Sequence, residues 1–180
     1  MNAKRRAVVL VLMALAALSF GCVELLCLLP LDGASVKLIL MNDSASRYVA
    51  PNPGLCPQGL DAGGHSFLPT RPVIAPGQSV TYSTFEIGGL SGLCSSADPT
   101  FMVGLCGWHH GEDPNNLAQC SQRYGGQIGF QFSCGDTVIL RWTDEGGVDG
   151  VWTSDVQPAA GNPMPTMSFQ SMDSGGMCTG

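Results

Sequence analysis

Gln127-Ile-Gly-Phe-Gln-Phe-Ser-Cys134, followed after Gly135 and Asp136 by Thr137-Val-Ile-Leu-Arg-Trp-Thr143, decides the fold class of this chain. In the first half, Ile128, Phe130, Phe132 and Cys134 alternate with Gln127, Gly129, Gln131 and Ser133. A period of two sends alternate side chains to opposite faces, so the pattern predicts a half-buried β-strand. The second half is β-branched and apolar. Residues 150–156 (GVWTSDV) repeat that character beyond residues 144–149, which predicts a hairpin.

Outward from this stretch, residues 36–41 (VKLILM) are apolar on both faces, as in a strand covered on both sides. Asn42-Asp43-Ser44 ends that strand. It also matches a glycosylation sequon, which matters only in a eukaryotic secretory route. Residues 79–87 (SVTYSTFEI) predict a strand entered through Val73-Ile74 and the turn Ala75-Pro76-Gly77-Gln78. In that turn proline presets φ and glycine is free to take positive φ. Residues 47–50 suggest a short strand, and residues 100–105 place Phe101, Val103 and Leu105 on one face. Residues 50–72 and 88–99 are rich in Pro, Gly and Ser and read as loops.

No helical period is sustained beyond the first residues. About seven short strands separated by turns predict an all-β, antiparallel β-sandwich. The strand–APGQ–strand element resembles those of bacterial immunoglobulin-like domains. That resemblance implies an immunoglobulin-like sandwich, here with long loops held by disulfides.

The N-terminus carries a different signal. Lys4-Arg5-Arg6 precedes an unbroken apolar run, residues 7–18 (AVVLVLMALAAL), and then Ser19-Phe20-Gly21-Cys22. A basic start, a short apolar core and a small-x-small end make a secretory signal peptide. The core is well short of the roughly 20 residues that cross a bilayer. Gly21-Cys22 resembles the lipobox of bacterial lipoproteins, with Ser19 and Phe20 where that family prefers an aliphatic residue and then Ala or Ser. The resemblance implies that the Cys22 thiol receives diacylglycerol and that Cys22 becomes the new N-terminus. Two alternatives stay open. One is plain secretion after Ser19-Phe20-Gly21. The other is an uncleaved anchor over residues 7–31, at the cost of placing Glu24 in hydrocarbon.

The expected organisation is a signal peptide over 1–21, a tether over 22–34, a β-sandwich over 35–158 and a flexible Pro/Gly/Ser/Met-rich tail over 159–180. Beyond the signal, Lys37, Arg47, Arg71, Arg123 and Arg141 stand against 14 acidic residues, a net charge of −9. That balance excludes the basic patch by which proteins bind nucleic acid. It also assigns membrane attachment to the N-terminal lipid or anchor rather than to the surface. The expected location is the cell envelope, facing the periplasm or cell exterior, with a protein partner there.

Export would place the eight cysteines in an oxidising compartment, where such a density means disulfides. Cys56, Cys94, Cys106, Cys120, Cys134 and Cys178 are the candidates, and Cys27 is the odd thiol if Cys22 is lipidated. Six cysteines allow 15 pairings, among which sequence does not choose, though Cys94, Cys106, Cys120 and Cys134 fall within 41 residues around the densest strand signals and are the favoured cluster.

Three constellations have ligand chemistry. Cys106-Gly-Trp-His109-His110, with Cys120 downstream and His65 elsewhere, has thiolate and imidazole groups suited to zinc or copper. The competing reading makes Cys106 and Cys120 oxidised and the histidines loop residues. Met164, Met167, Met172 and Met177 have thioethers suited to Cu(I), or simply belong to a low-complexity tail. Asp144, Glu145 and Asp149 have carboxylates for Ca²⁺ without the spacing of an EF-hand. No Gly-x-Ser-x-Gly occurs, and Gly88-Gly-Leu-Ser-Gly92 lacks the lysine of a phosphate loop. The expectation is therefore a non-catalytic binding or structural domain with no cofactor. An envelope protein handling copper or zinc through His109, His110 and the methionine-rich tail is the alternative.

Overall fold

The computed structural model describes residues 34–56, 66–94, 102–120, 122–145, 150–165 and 170–172. The predicted signal, Cys22, Cys27, His65, Asp149, Met167, Met177 and Cys178 lie outside the described residues, as do the side chains of Cys56 and Met172. Among the described residues no helix is long and apolar enough to cross a membrane.

The fold is all-β and is built from two sheets. The strands are β1 (Lys37–Asn42), β2 (Tyr48–Cys56), β3 (Ser66–Phe67), β4 (Ser79–Ser83), β5 (Met102–Asp113), β6 (Asn116–Cys120), β7 (Arg123–Gln127), β8 (Thr137–Thr143), β9 (Val151–Gln157) and β10 (Gln170–Met172). A short helix, α1 (Thr84–Gly88), follows β4. The first sheet has the order β4-β1-β8-β9. The second runs β10-β7-β5-β2-β3, with β6 also paired to β5.

The inner faces of the two sheets share one core. Leu38 and Leu40 on β1, Val138, Leu140 and Trp142 on β8, and Trp152 and Val156 on β9 come from the first sheet. Val49, Leu55, Val103, Leu105, Trp108 and Tyr124 come from the second. Burying each of the larger aliphatic side chains contributes about 1.5–3 kcal/mol against leaving it in water. Three contacts tie sheet to sheet. Trp108 meets Trp152 edge to face at 6.0 Å, and the His110 ring stacks on Trp142 at 5.6 Å. The Tyr124 hydroxyl donates to Ser154 Oγ at 2.8 Å.

Several elements depart from the sequence expectation, each for a local reason. Strand β1 pairs in parallel with β8, so the first sheet is mixed rather than purely antiparallel. The alternating stretch 127–134 is not a strand beyond Gln127. Gly129 takes φ +79°, and its N–H donates to the Phe132 carbonyl, so the chain turns back on itself. Ile128 and Phe132 remain buried while Phe130 is 63% exposed at the tip. The predicted strand 79–87 ends at Ser83. There the Ser83–Glu86 pair forms a capping box: each side chain satisfies the other's backbone N–H at the start of α1.

The loop expected from residue 50 instead continues as β2 through Pro51 and Pro53. The β2–β5 register shifts between those two prolines. A β-bulge tolerates residues that cannot donate to the ladder. The segment expected to be a flexible tail contributes β10, which pairs with β7. Asn162, in the same segment, donates to the Cys134 carbonyl at 2.8 Å and to Asp136 Oδ1 at 2.6 Å.

The Asn42-Asp-Ser44 sequon has a structural role. Asn42 is fully buried and donates to the carbonyls of Arg47 and Ile74, while its oxygen accepts from the Ser44 N–H and hydroxyl. An amide so placed closes the turn after β1 and is not available to a glycosyl donor in the folded state.

Candidate functional site

The bulge on β5 decides what the Cys106–His110 stretch can do. On β2 two steps separate Pro51 from Pro53, whereas on β5 three steps separate their partners Trp108 and Leu105. The extra residue reverses the in–out alternation past Cys106 and Gly107. Leu105 faces the core, and so do Trp108 and His110, while His109 faces outward. The two histidines are therefore strand residues rather than loop residues, and they stand on opposite faces of the sheet. His110 is 4% exposed and stacks on Trp142.

Among the described residues this geometry does not assemble the chelate that the alternative zinc or copper reading needs. Cys120 is fully buried on β6 opposite Trp108 and is disulfide-bonded, so its sulfur is no thiolate ligand. Met164, 73% exposed, is the one methionine of the four whose side chain is described. It lines a shallow hollow of about 160 Å³ with Phe130 and Phe132. Asp144 and Glu145 lie at the end of β8. Among the described residues no three metal-ligating side chains converge.

His109 instead meets a residue that the sequence reading did not connect to it. The Arg71 Nη1 lies 3.3 Å and 3.2 Å from the two ring nitrogens of His109. Partial burial, and then the neighbouring guanidinium charge, push the imidazole pKa below its ordinary value. The folded state thus binds the proton less tightly than the unfolded chain. Its contribution to stability is present above the ordinary histidine pKa and is lost as pH falls from that value through the lowered folded one. Replacing Arg71 with Ala should move the His109 pKa upward. Following the His109 ring carbon protons by NMR through a pH titration of both proteins checks this, and an unmoved midpoint contradicts it.

A polar groove of about 360 Å³ lies beside β1 and α1. Sheet register builds it. Lys37 is level with Ser83 on one neighbour and with Thr137 on the other, so these three residues stand in one row across the sheet. Lys37 points away from the core that Leu38 and Leu40 fill. Tyr82 packs against that core and also lines the groove. Burial, and then the charge of Glu86, raise its phenol pKa.

The groove offers one ammonium, one carboxylate and several hydroxyls for hydrogen bonding. Ser83 and Glu86 bring a hydroxyl beside a carboxylate, since Ser83 Oγ donates to Glu86 at 2.9 Å. That pair is committed to capping: the same Oγ accepts from the Glu86 N–H, and the carboxylate accepts from the Ser83 N–H. A hydroxyl held as a helix cap is poorly placed to serve as a nucleophile. The sequence signal for this arrangement was present as Ser83-Thr-Phe-Glu86, the S/T-x-x-E pattern. The row through Lys37 needed strand register, which sequence does not supply. Comparison with protein-family models, with curated proteins and with solved structures finds no match.

Proposed function

We propose that this chain is an exported envelope lipoprotein, anchored through Cys22. Its body would be a non-catalytic, immunoglobulin-like β-sandwich that binds a partner or scaffolds. The observation that carries the reading is Gly21-Cys22 at the end of a short apolar run, 15 residues ahead of the first strand of an all-β body. The acidic balance beyond the signal supports attachment by a lipid rather than by surface charge. The polar groove at Lys37, Tyr82 and Glu86 is the binding site that fits this reading. Its volume falls in the range of small-ligand sites, and its hydroxyl–carboxylate pair is spent on capping α1.

Metabolic labelling with a radiolabelled fatty acid tests the anchor. The expected result is a labelled protein, and loss of all label in Cys22→Ser with the protein still exported. A mature N-terminus that is free and unlabelled overturns it.

A further inference from the structure

We propose that Cys94 and Cys134 form a disulfide that clamps the Ala34-Ser35 segment ahead of β1. Cys94 follows the 3-10 turn Gly89–Gly92, and Cys134 lies in the corner between the Ile128–Phe132 turn and β8. The backbone brings the two cysteines to consecutive residues of one segment. The Cys94 N–H donates to the Ala34 carbonyl at 2.7 Å, and the Gly135 N–H donates to the Ser35 carbonyl at 2.9 Å. Both side chains are partly buried and pack against the same core. Both are free thiols in the structure, and they hydrogen-bond to each other. Two neighbouring thiols, on backbones fixed by hydrogen bonds to adjacent residues, are placed to reach disulfide geometry by side-chain rotation.

The chemistry balances with a disulfide oxidant, the class of reagent an oxidising compartment supplies. One thiolate attacks an R–S–S–R molecule, giving a mixed disulfide and releasing R–SH. The second cysteine then attacks the mixed disulfide, forming the Cys94–Cys134 bond and releasing the second R–SH. The protein loses two hydrogens, which leave on the two thiols released. Burial and the neighbouring Cys134 and Asp136 hold the Cys94 thiol strongly protonated. Either cysteine can attack first and the other then resolves the mixed disulfide, so the product is the same bond. The bond closes a loop of 41 residues that contains β5, β6 and β7.

The test uses the full chain, purified reduced, then incubated with oxidised glutathione and alkylated. Peptide mapping by mass spectrometry should recover Cys94 and Cys134 in one cross-linked peptide that separates on reduction. The Tm of the oxidised protein should exceed that of the reduced protein by roughly 10 °C. Cys94→Ser, Cys134→Ser and the double variant should each lose the same increment under oxidising conditions, because each removes the same bond. Recovery of both cysteines alkylated after oxidation, or joined to other cysteines, overturns the proposal. So do single-variant losses that add in the double variant, which would mean lost packing rather than a lost bond. Neither outcome bears on Cys22, whose label is read separately.

Discussion

Trp142→Ala should lower stability by about 3–5 kcal/mol, the loss seen when a buried indole is truncated in a packed core. Trp142 is fully buried on β8, where it pairs with Trp152 across the strand and stacks on His110 of the opposite sheet. Its ring also fills the space behind Gly150, where a Cβ would collide with the indole and where φ is +65°. Alanine therefore removes one of the side chains that join the two inner faces and leaves a cavity between the sheets. For a domain of this size the expected fall in Tm is roughly 10 °C. Trp142→Phe should cost much less. The ring is kept, and the indole N–H, which has no acceptor among the described residues, is removed. Urea unfolding followed by fluorescence and circular dichroism measures both. A loss below about 1 kcal/mol in the alanine variant would mean that the sheets do not pack across this ring.

The parts of the fold that were legible in sequence are those where local pattern and tertiary burial agree. Residues 36–41, 137–143 and 150–156 read as strands and fold as β1, β8 and β9. Each is dense in apolar, β-branched or aromatic residues and lacks a glycine or proline in its interior. The stretch 127–134 carried the cleanest alternation and still folds as a turn, because one glycine at positive φ outweighs four well-spaced apolar residues. Ile128 and Phe132 reach the core from a doubled-back chain as well as they would from a strand. Residues 50–56 failed in the opposite sense, since Pro51 and Pro53 argue against a strand unless a bulge accommodates them.

The candidate site was less legible than the fold. His109 and His110 are adjacent in any conformation, but the face each occupies depends on the bulge at Cys106-Gly107. The contact of Arg71 with His109 joins residues 38 apart in the chain. The contact of Cys94 with Cys134 is set by backbone hydrogen bonds to Ala34 and Ser35. Spacing arguments weigh residues that are near in sequence. These contacts arise from register, which is a property of strand pairing.

Asp136→Ala should cost about 3 kcal/mol, because it strands several donors at once. Asp136 is 1% exposed and lies in the corner that leads into β8. Its Oδ2 accepts from the Ser133 N–H at 2.7 Å. Its Oδ1 accepts from the Ala159 N–H at 2.8 Å and from the Asn162 amide at 2.6 Å. One carboxylate thus fastens the turn before β8 to the segment after β9. Hydrogen bonds to a charged acceptor are worth more than neutral ones, and a buried donor left without an acceptor carries its full desolvation penalty. Asp136→Asn keeps one acceptor oxygen but turns an N–H₂ toward either the Ser133 or the Ala159 N–H. Its loss should therefore be intermediate. Native-state hydrogen exchange separates this role from a general loss of packing. In the alanine variant the Ser133 and Ala159 amides should exchange faster than the loss of global stability accounts for, while amides in the centre of β8 should track global unfolding. Uniform acceleration across β8 and the 159–162 segment would contradict a local clasp and make Asp136 an ordinary core residue.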